Sequence, residues 1–268
     1  MLLDRYFKRI GYDDKPRVDL DTLAALHRCH ARAIPYENLD VQLGRTVLMD
    51  EAAAFDKLVT RRRGGWCYEM NGLLRWALRE IGFRITSLAG AVQREQHGDR
   101  FLGNHLALLV HLDDDYLADV GFGDGLSAPI PLREDEYTQG ALHYRLTRVD
   151  NGYWRFVNHP ASAVQSFDFL VAPADANALA TQSTWLQTAP QSPFVNHALC
   201  FIHRDEGVAM LRNRYFRRID RAGVHEHLVA NLDEYHGTLT DVFGLCIKQR
   251  NESTQLWQCM LDRESTQS

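Results

Sequence analysis

Cys67 stands in Arg63-Gly64-Gly65-Trp66-Cys67-Tyr68-Glu69-Met70-Asn71, between a pair of glycines and a run with helical periodicity. A thiol in the first turn of a helix faces the positive end of the helix dipole. It also faces N–H groups that have no intrahelical partner. Both favour the thiolate, and the N–H groups can stabilise an oxyanion. A lone cysteine on an apolar helix is also ordinary core filler. Cys67 therefore needs a base within hydrogen-bonding reach, and that base needs an orienter, before it reads as a nucleophile.

Two residues supply these roles. His105 opens the strand-like run Asn104–Val110, and Asp119 ends the run Tyr116–Val120, with the turn residues Asp113-Asp114-Asp115 between them. The two runs should form a hairpin, in which the start of the first strand meets the end of the second. His105 and Asp119 then become cross-strand neighbours. A carboxylate in an apolar strand is costly unless paired. Taken singly, His105 also reads as a satisfied structural histidine and Asp119 as a turn or capping residue.

Weaker signals surround these three. Gly121-Phe122-Gly123-Asp124-Gly125 is a glycine-rich turn that can present N–H groups to phosphate, but it lacks a P-loop pattern and a helix start, and in isolation it reads as a plain loop. Glu37 is a candidate buried partner for Arg63, or a surface carboxylate. His225-Glu226-His227 shows no third metal ligand and reads as a solvated loop; no metal site is expected.

The elements that must position these side chains follow from period and punctuation. Leu3–Ile10 is a short amphipathic segment stopped by Gly11. Asp19 caps a helix carrying Leu20, Leu23, Leu26 and His30, which ends at Ile34-Pro35. Asp50 caps a third helix. The fourth starts near Cys67, carries Met70, Leu73, Leu74, Ala77, Leu78 and Ile81 on one stripe, and stops at Gly82. Beyond Gly82, strands are expected at 84–93, 104–112, 116–120, 142–149, 153–159 and 166–171. So many sequential strands favour an antiparallel sheet or barrel. Residues 173–193 read as a connection with some helix. Strands at 197–203, 207–211 and 215–219, a helix near 232–243 and a frayed tail at 264–268 complete the chain.

The bulk properties narrow the class. The chain has 268 residues, 45% of them hydrophobic and 24% charged, with a net charge of -5, which disfavours nucleic acid as a partner. No apolar run approaches membrane-spanning length, so no membrane association is expected, and the charged N-terminus does not read as a signal peptide. The five cysteines, Cys29, Cys67, Cys200, Cys246 and Cys259, are odd in number and widely spaced. They point to free thiols and a cytoplasmic location.

Taken together, the motifs resemble those of the arylamine N-acetyltransferases. Ile34-Pro35-Tyr36-Glu37-Asn38-Leu39-Asp40 is similar to the family's IPFENLD element, and Arg62–Asn71 to its RRGG-aromatic-C segment. Asn104-His105-Leu106 and Ala118–Gly123 resemble the His and Asp elements, and Thr188–Phe194 resembles the later S/T-x-P-x-S-x-F stretch. The resemblance covers nearly the whole chain and has a bacterial-type length between Asp119 and Pro173.

The resemblance implies an α+β fold with a cysteine-protease or transglutaminase-like catalytic core. Its parts would be a helical bundle (1–82), an antiparallel β-barrel domain (83–172), a connection (173–194) and an α/β lid (195–268). It implies acetyl-CoA as co-substrate, aromatic amines or hydrazines as acceptors, O-acetylation of N-hydroxyarylamines, ping-pong kinetics through an acetyl-Cys67 thioester, and a role in xenobiotic metabolism. His105 would be the proton shuttle and Asp119 its orienter. Phe122 and Phe194 would flank the acceptor pocket. Tyr68, Gly103, Asn104, Gly121 and Gly123 would lie along the substrate and cofactor walls. Glu37 and Arg63 would form a structural salt bridge. A monomer or weak homodimer is expected.

Asn104 stands where many members have Thr or Ser, Gln187 where Ser is common, and Gln191 where some members place a hydroxyl. These departures bear on acceptor range and CoA affinity. An amide synthase using a larger acyl donor, or a hydrolytic or transglutaminase-like enzyme, would use the same three residues. A non-enzymatic interaction module ranks last, because all three are present.

Overall fold

The computed structural model describes residues 1–245, 247 and 250–267. Cys246 and Ser268 lie outside the described residues. The N-terminal third is helical. Helix α1 (Leu3–Ile10) ends at Gly11 in the left-handed conformation. Asp19 caps α2 (Leu20–Ala33) by accepting from Thr22 N–H, and the helix stops ahead of Pro35. Strand β1 (Tyr36–Glu37) and helix α3 (Leu39–Gln42) follow. Asp50 caps α4 (Glu51–Phe55), which widens into a π-helical turn at Asp56–Thr60. Helix α5 (Cys67–Ile81) begins at the nucleophile candidate and ends at Gly82 with φ +111°, as its apolar stripe predicts.

Strands β2 (Arg84–Val92), β3 (His105–His111), β4 (Asp115–Ala118), β5 (Ile130–Pro131), β6 (Asp135–Gln139), β7 (Leu142–Arg148), β8 (Trp154–Val157) and β9 (Ser166–Phe169) form one antiparallel sheet. Its order is β5-β4-β3-β2-β9-β8-β7-β6. The short helix α6 (Arg94–His97) lies between β2 and β3. The sheet curls into a nearly closed barrel, and side chains bridge its open edges. Gln139 on β6 accepts from the Ser127 and Ala128 N–H groups and donates to the Ala128 carbonyl. Tyr137 donates to the Pro131 carbonyl on β5. Strands β5 and β6 add to the six strands expected from sequence.

Helix α7 (Ala176–Thr188) and the short α8 (Pro193–Asn196) occupy the stretch read as a connection. Strands β10 (Leu199–Arg204), β11 (Gly207–Arg212), β12 (Tyr215–Asp220) and β13 (Gly223–Leu228) pair with β1 in a second antiparallel sheet, ordered β1-β10-β11-β12-β13. The N-terminal region thus supplies an edge of the C-terminal sheet.

Helix α9 (Leu232–Gly237) continues into a π-helical turn at Thr238–Val242, and α10 (Arg250–Gln267) closes the chain. Two readings change here. His225–His227 is an exposed edge strand rather than a loop, and each histidine faces a carboxylate, Asp220 or Glu234. The expected frayed tail, apart from Ser268, belongs to the 18-residue α10, held by buried Leu256 and Met260 against the cluster around Tyr235. None of the described helices is long and apolar enough to cross a membrane.

Candidate active site

The site forms where the first turn of α5 meets the β3–β4 hairpin. Glu69, three residues into α5, reaches back to accept from Trp66 N–H at 3.2 Å, which fixes the entry into the helix. Cys67 is the first helical residue, only 2% exposed, and its Sγ lies 4.0 Å from the Asn104 carbonyl oxygen.

His105 begins β3 and is buried. The hairpin pairs Leu108 with Ala118. Continuing that register sets Asp119 opposite Ala107, diagonal to His105 rather than directly across. Diagonal side chains on one face remain within reach of long groups. His105 Nε2 and Asp119 Oδ2 are 2.6 Å apart. This leaves Nδ1 of the ring for Cys67, whose side chain neighbours the imidazole and favours its charged form. Burial alone would push the imidazole down. Attraction to the Asp119 carboxylate, its hydrogen bond and the neighbouring Cys67 outweigh burial and raise the pKa to about 10.

Asp119 is itself fully engaged. Its Oδ1 accepts from Asn71 Nδ2 at 2.7 Å and from Gly121 N–H at 2.8 Å. Its own N–H donates to His27 Nε2 at 3.0 Å. Asn71 also donates to the Leu106 carbonyl and accepts from Val120 N–H, so one buried amide ties α5 to both strands of the hairpin. Asn71 and His27 were not singled out from sequence. Asn71 falls one turn after Cys67, and a polar residue on that otherwise apolar face is the signal. His27 is distant in sequence and carries no such mark.

The other expected site residues gather nearby, with specific tasks. Gly121 is needed for close approach, since a Cβ there would sit 2.7 Å from Cys67 Cα. Its N–H is committed to Asp119. Gly123 has φ +78°, and a Cβ would meet Phe201 at 2.3 Å. Tyr68 donates its hydroxyl to the Gly103 carbonyl at 2.7 Å, and Asn104 Oδ1 accepts from Val92 N–H. The Phe122 ring lies 5.2 Å from the His105 ring, and Phe194 packs edge-on against Trp66 at 5.5 Å.

Beneath Cys67 lies a buried ionic network. Lys57 Nζ contacts Asp40 at 2.9 Å and Glu69 at 3.0 Å. Arg63 contacts Glu37 at 3.4 Å, Asp40 at 3.7 Å and Glu252 of α10 at 3.4 Å. Glu37 is fully buried, so the surface reading of it falls. The expected Glu37–Arg63 contact is one link in a larger network.

A family model described as N-acetyltransferase matches residues 19–252. The chain belongs to the arylamine N-acetyltransferase family. It is 38% identical to the arylamine N-acetyltransferase of Mycolicibacterium smegmatis, covering 85% of this chain and 86% of that one. It is 34% identical to the Escherichia coli (strain K12) enzyme, covering 91% and 89%. The structure of the Mycobacterium marinum enzyme in complex with CoA superposes with a TM-score of 0.87 at 30% identity, covering 96% of this chain and 98% of that one. The arylamine N-acetyltransferase fold is thus present along nearly the whole chain.

Proposed function

We propose that the chain transfers an acetyl group from acetyl-CoA to arylamines through a thioester on Cys67. The observation that carries this reading is His105 held between Asp119 and Cys67, with its imidazole stabilised in the protonated form. The family and the CoA complex of the Mycobacterium marinum relative support the choice of donor.

In this reading the Cys67 thiolate attacks the acetyl thioester carbonyl. The oxyanion is met by the N–H groups of the first turn of α5. As the C–S bond to CoA breaks, the leaving CoA sulfur takes the His105 proton. The arylamine then attacks the acetyl-Cys67 carbonyl, and His105 accepts the proton from its nitrogen as the Cys67 thiolate departs. Asp119 keeps the imidazole in orientation through both halves. General acid–base assistance of this kind contributes about 10²–10⁴-fold.

Phe122 and Phe194 would form the acceptor walls. Tyr68, Gly103, Asn104, Gly121 and Gly123 would form the surroundings of the acyl group and donor. Arylhydrazines, and N-hydroxyarylamines as oxygen nucleophiles, fit the same second half-reaction.

The test is intact-mass measurement after incubation with acetyl-CoA alone. An adduct of one acetyl group on Cys67, lost on adding an arylamine, is expected. Cys67→Ala should show neither adduct nor turnover. A wild-type protein that stays unmodified while acetyl-CoA remains intact would sink the reading.

A further inference from the structure

Gly90 lies within β2 and pairs with His105 on β3 and with Phe169 on β9. A glycine inside a strand weakens it, and it often marks a place where another group approaches the backbone closely. Conformation does not call for glycine here, since φ at Gly90 lies outside the left-handed region. Space does. A Cβ at this position would stand 3.1 Å from His105 Cβ, 3.2 Å from His105 Cδ2 and 3.3 Å from Phe167 Cδ2. All three fall short of the 3.4 Å at which ordinary contact begins. The His105 imidazole therefore leans across the Gly90 backbone.

Cδ2 is bonded to Nε2, the ring nitrogen that lies 2.6 Å from Asp119 Oδ2. A push of a few tenths of an ångström on Cδ2 is thus a push on the bond to the carboxylate. The ring has little room to yield. Phe167 and Phe122 pack on it with centroids at 4.7 Å and 5.2 Å, and they contact each other at 4.9 Å. Phe156 packs on both, 5.9 Å from Phe122 and 5.3 Å from Phe167. A close-packed interior passes such a displacement on instead of absorbing it.

Strand β2 is held against retreat. The Gly90 carbonyl accepts from Gly103 N–H at 2.8 Å, and the Gly103 carbonyl accepts from the Tyr68 hydroxyl at 2.7 Å. Tyr68 follows Cys67 on α5, so the Gly90 backbone is tied to the helix that carries the nucleophile.

We propose that Gly90 is a positioning residue for acyl transfer: the space left by its missing side chain is the slot that seats the His105 imidazole against Asp119. It acts only through His105. The inference rests on acyl transfer through Cys67 as proposed above, but not on the identity of the donor.

The experiment compares wild type, Gly90→Ala and Ala91→Gly, each labelled with 15N-histidine. Ala91 is buried on the same strand, and its side chain leaves the opposite face of the sheet. Ala91→Gly therefore reports what a loosened β2 does without crowding His105. The first readout is the downfield proton resonance of the His105–Asp119 hydrogen bond, assigned by its loss in His105→Gln. It should move upfield in Gly90→Ala and stay in place in Ala91→Gly. The second is the p-nitrophenolate burst with p-nitrophenyl acetate. Misplacing a reacting group by about 1 Å costs about 10²-fold, so the smaller displacement in Gly90→Ala should slow the burst by about 10-fold. Ala91→Gly should stay within about 2-fold of wild type.

Where Gly90→Ala does not fold, Gly90→Ala/Phe167→Leu, compared with Phe167→Leu alone, takes the same two tests with the same expected directions. An unmoved resonance, a burst at the wild-type rate, or both effects reproduced by Ala91→Gly overturn the assignment. A wild type without a downfield resonance that His105→Gln removes overturns it with no change at position 90. The burst uses no CoA. Failure of acetyl-CoA to load Cys67 would therefore count against the donor proposed above, and the resonance decides the role of Gly90 in either case.

Discussion

Two buried ionic clusters meet at the first turn of α5, and they differ in how their bonds are distributed. On one side, His105, Asp119 and Asn71 form a chain in which Asp119 is saturated and His105 keeps one ring nitrogen for Cys67. On the other side, Lys57 and Arg63 share Glu37, Asp40, Glu69 and Glu252, so each buried charge meets opposite charge.

Perturbed ionisation does not distinguish the two. Burial raises Glu69 to about 7 against the pull of Lys57, a displacement that would suit a catalytic acid. The chemistry instead belongs to the cluster that leaves one donor or acceptor beside a nucleophile. Glu69 spends the same oxygen on Lys57 and on Trp66 N–H, and so holds the helix start in place.

Asp119→Asn should produce the largest effect. Asn71 Nδ2 and Gly121 N–H both donate to Oδ1, so the asparagine carbonyl must stay there. Its amide NH2 then faces His105 Nε2, which has to become an acceptor. The ring proton moves to Nδ1, toward Cys67, and the base is in the wrong tautomer. Acylation in a single turnover should fall about 10³–10⁴-fold. The urea midpoint should move little, because the shape and most bonds are kept. A loss under tenfold would show that orientation by Asp119 does not separate this cluster from the other.

Lys57→Met tests the opposite side. Removing Lys57 leaves the Glu69 and Asp40 carboxylates without their nearest cation, and Glu69 is sealed from water. Breaking a buried pair from one side costs about 3–5 kcal/mol, to be read from urea unfolding. The alkylation rate of Cys67 in the folded protein should change less than about 3-fold, since neither His105 nor Asp119 contacts the network. A large rate effect with little loss of stability would merge the two clusters into one functional unit.

How much of this could be read from the chain depends on whether a residue's role is local. Helix α5 was legible because Met70, Leu73, Leu74, Ala77 and Leu78 repeat on one buried face and Gly82 stops it. The β3–β4 hairpin was legible from its turn, and it brought His105 and Asp119 together even though the register makes them diagonal. Strand β13 was not legible. All six of its residues are exposed, so no buried face imposes alternation. Helix α10 buries only scattered residues such as Leu256 and Met260 in a polar sequence, which leaves little periodic signal. The Lys57–Glu69 contact and the His27 support of Asp119 are created by tertiary packing alone.

Acid titration separates the clusters by sign, at the smallest scale. His27 is lowered from 6.5 to about 4 by burial, so its contribution to stability is present above about 6.5 and is lost as pH falls toward 4. Buried His203, lowered to about 3, and His30, lowered by burial, act in the same direction. Glu69 acts oppositely. Its raised value means that its contribution is present below about 4.5 and is lost as pH rises through 7.

Between pH 6.5 and 5, acidification therefore weakens the fold through the histidines and strengthens it through Glu69. Each group contributes a slope of about 1.4 kcal/mol per pH unit. Urea unfolding across that range should show net loss on acidification, because the buried His27, His30 and His203, joined by the lowered His159 and His197, outnumber the two carboxyls raised by burial, Glu69 and Asp124, the latter to about 6. His27→Gln keeps an acceptor for Asp119 N–H but does not titrate, so it should flatten the slope by about one group. Glu69→Gln should steepen it by the same amount, whatever its effect on the stability at pH 7. In the folded protein His27 protonates only as pH falls through about 4, which removes the acceptor that anchors the Asp119 backbone, so acylation by wild type should fail near pH 4 and persist further below it in His27→Gln. If Glu69→Gln flattened the slope instead, Glu69 would be ionised throughout, and the network would be a cluster of fixed charges with no titrating member in this range.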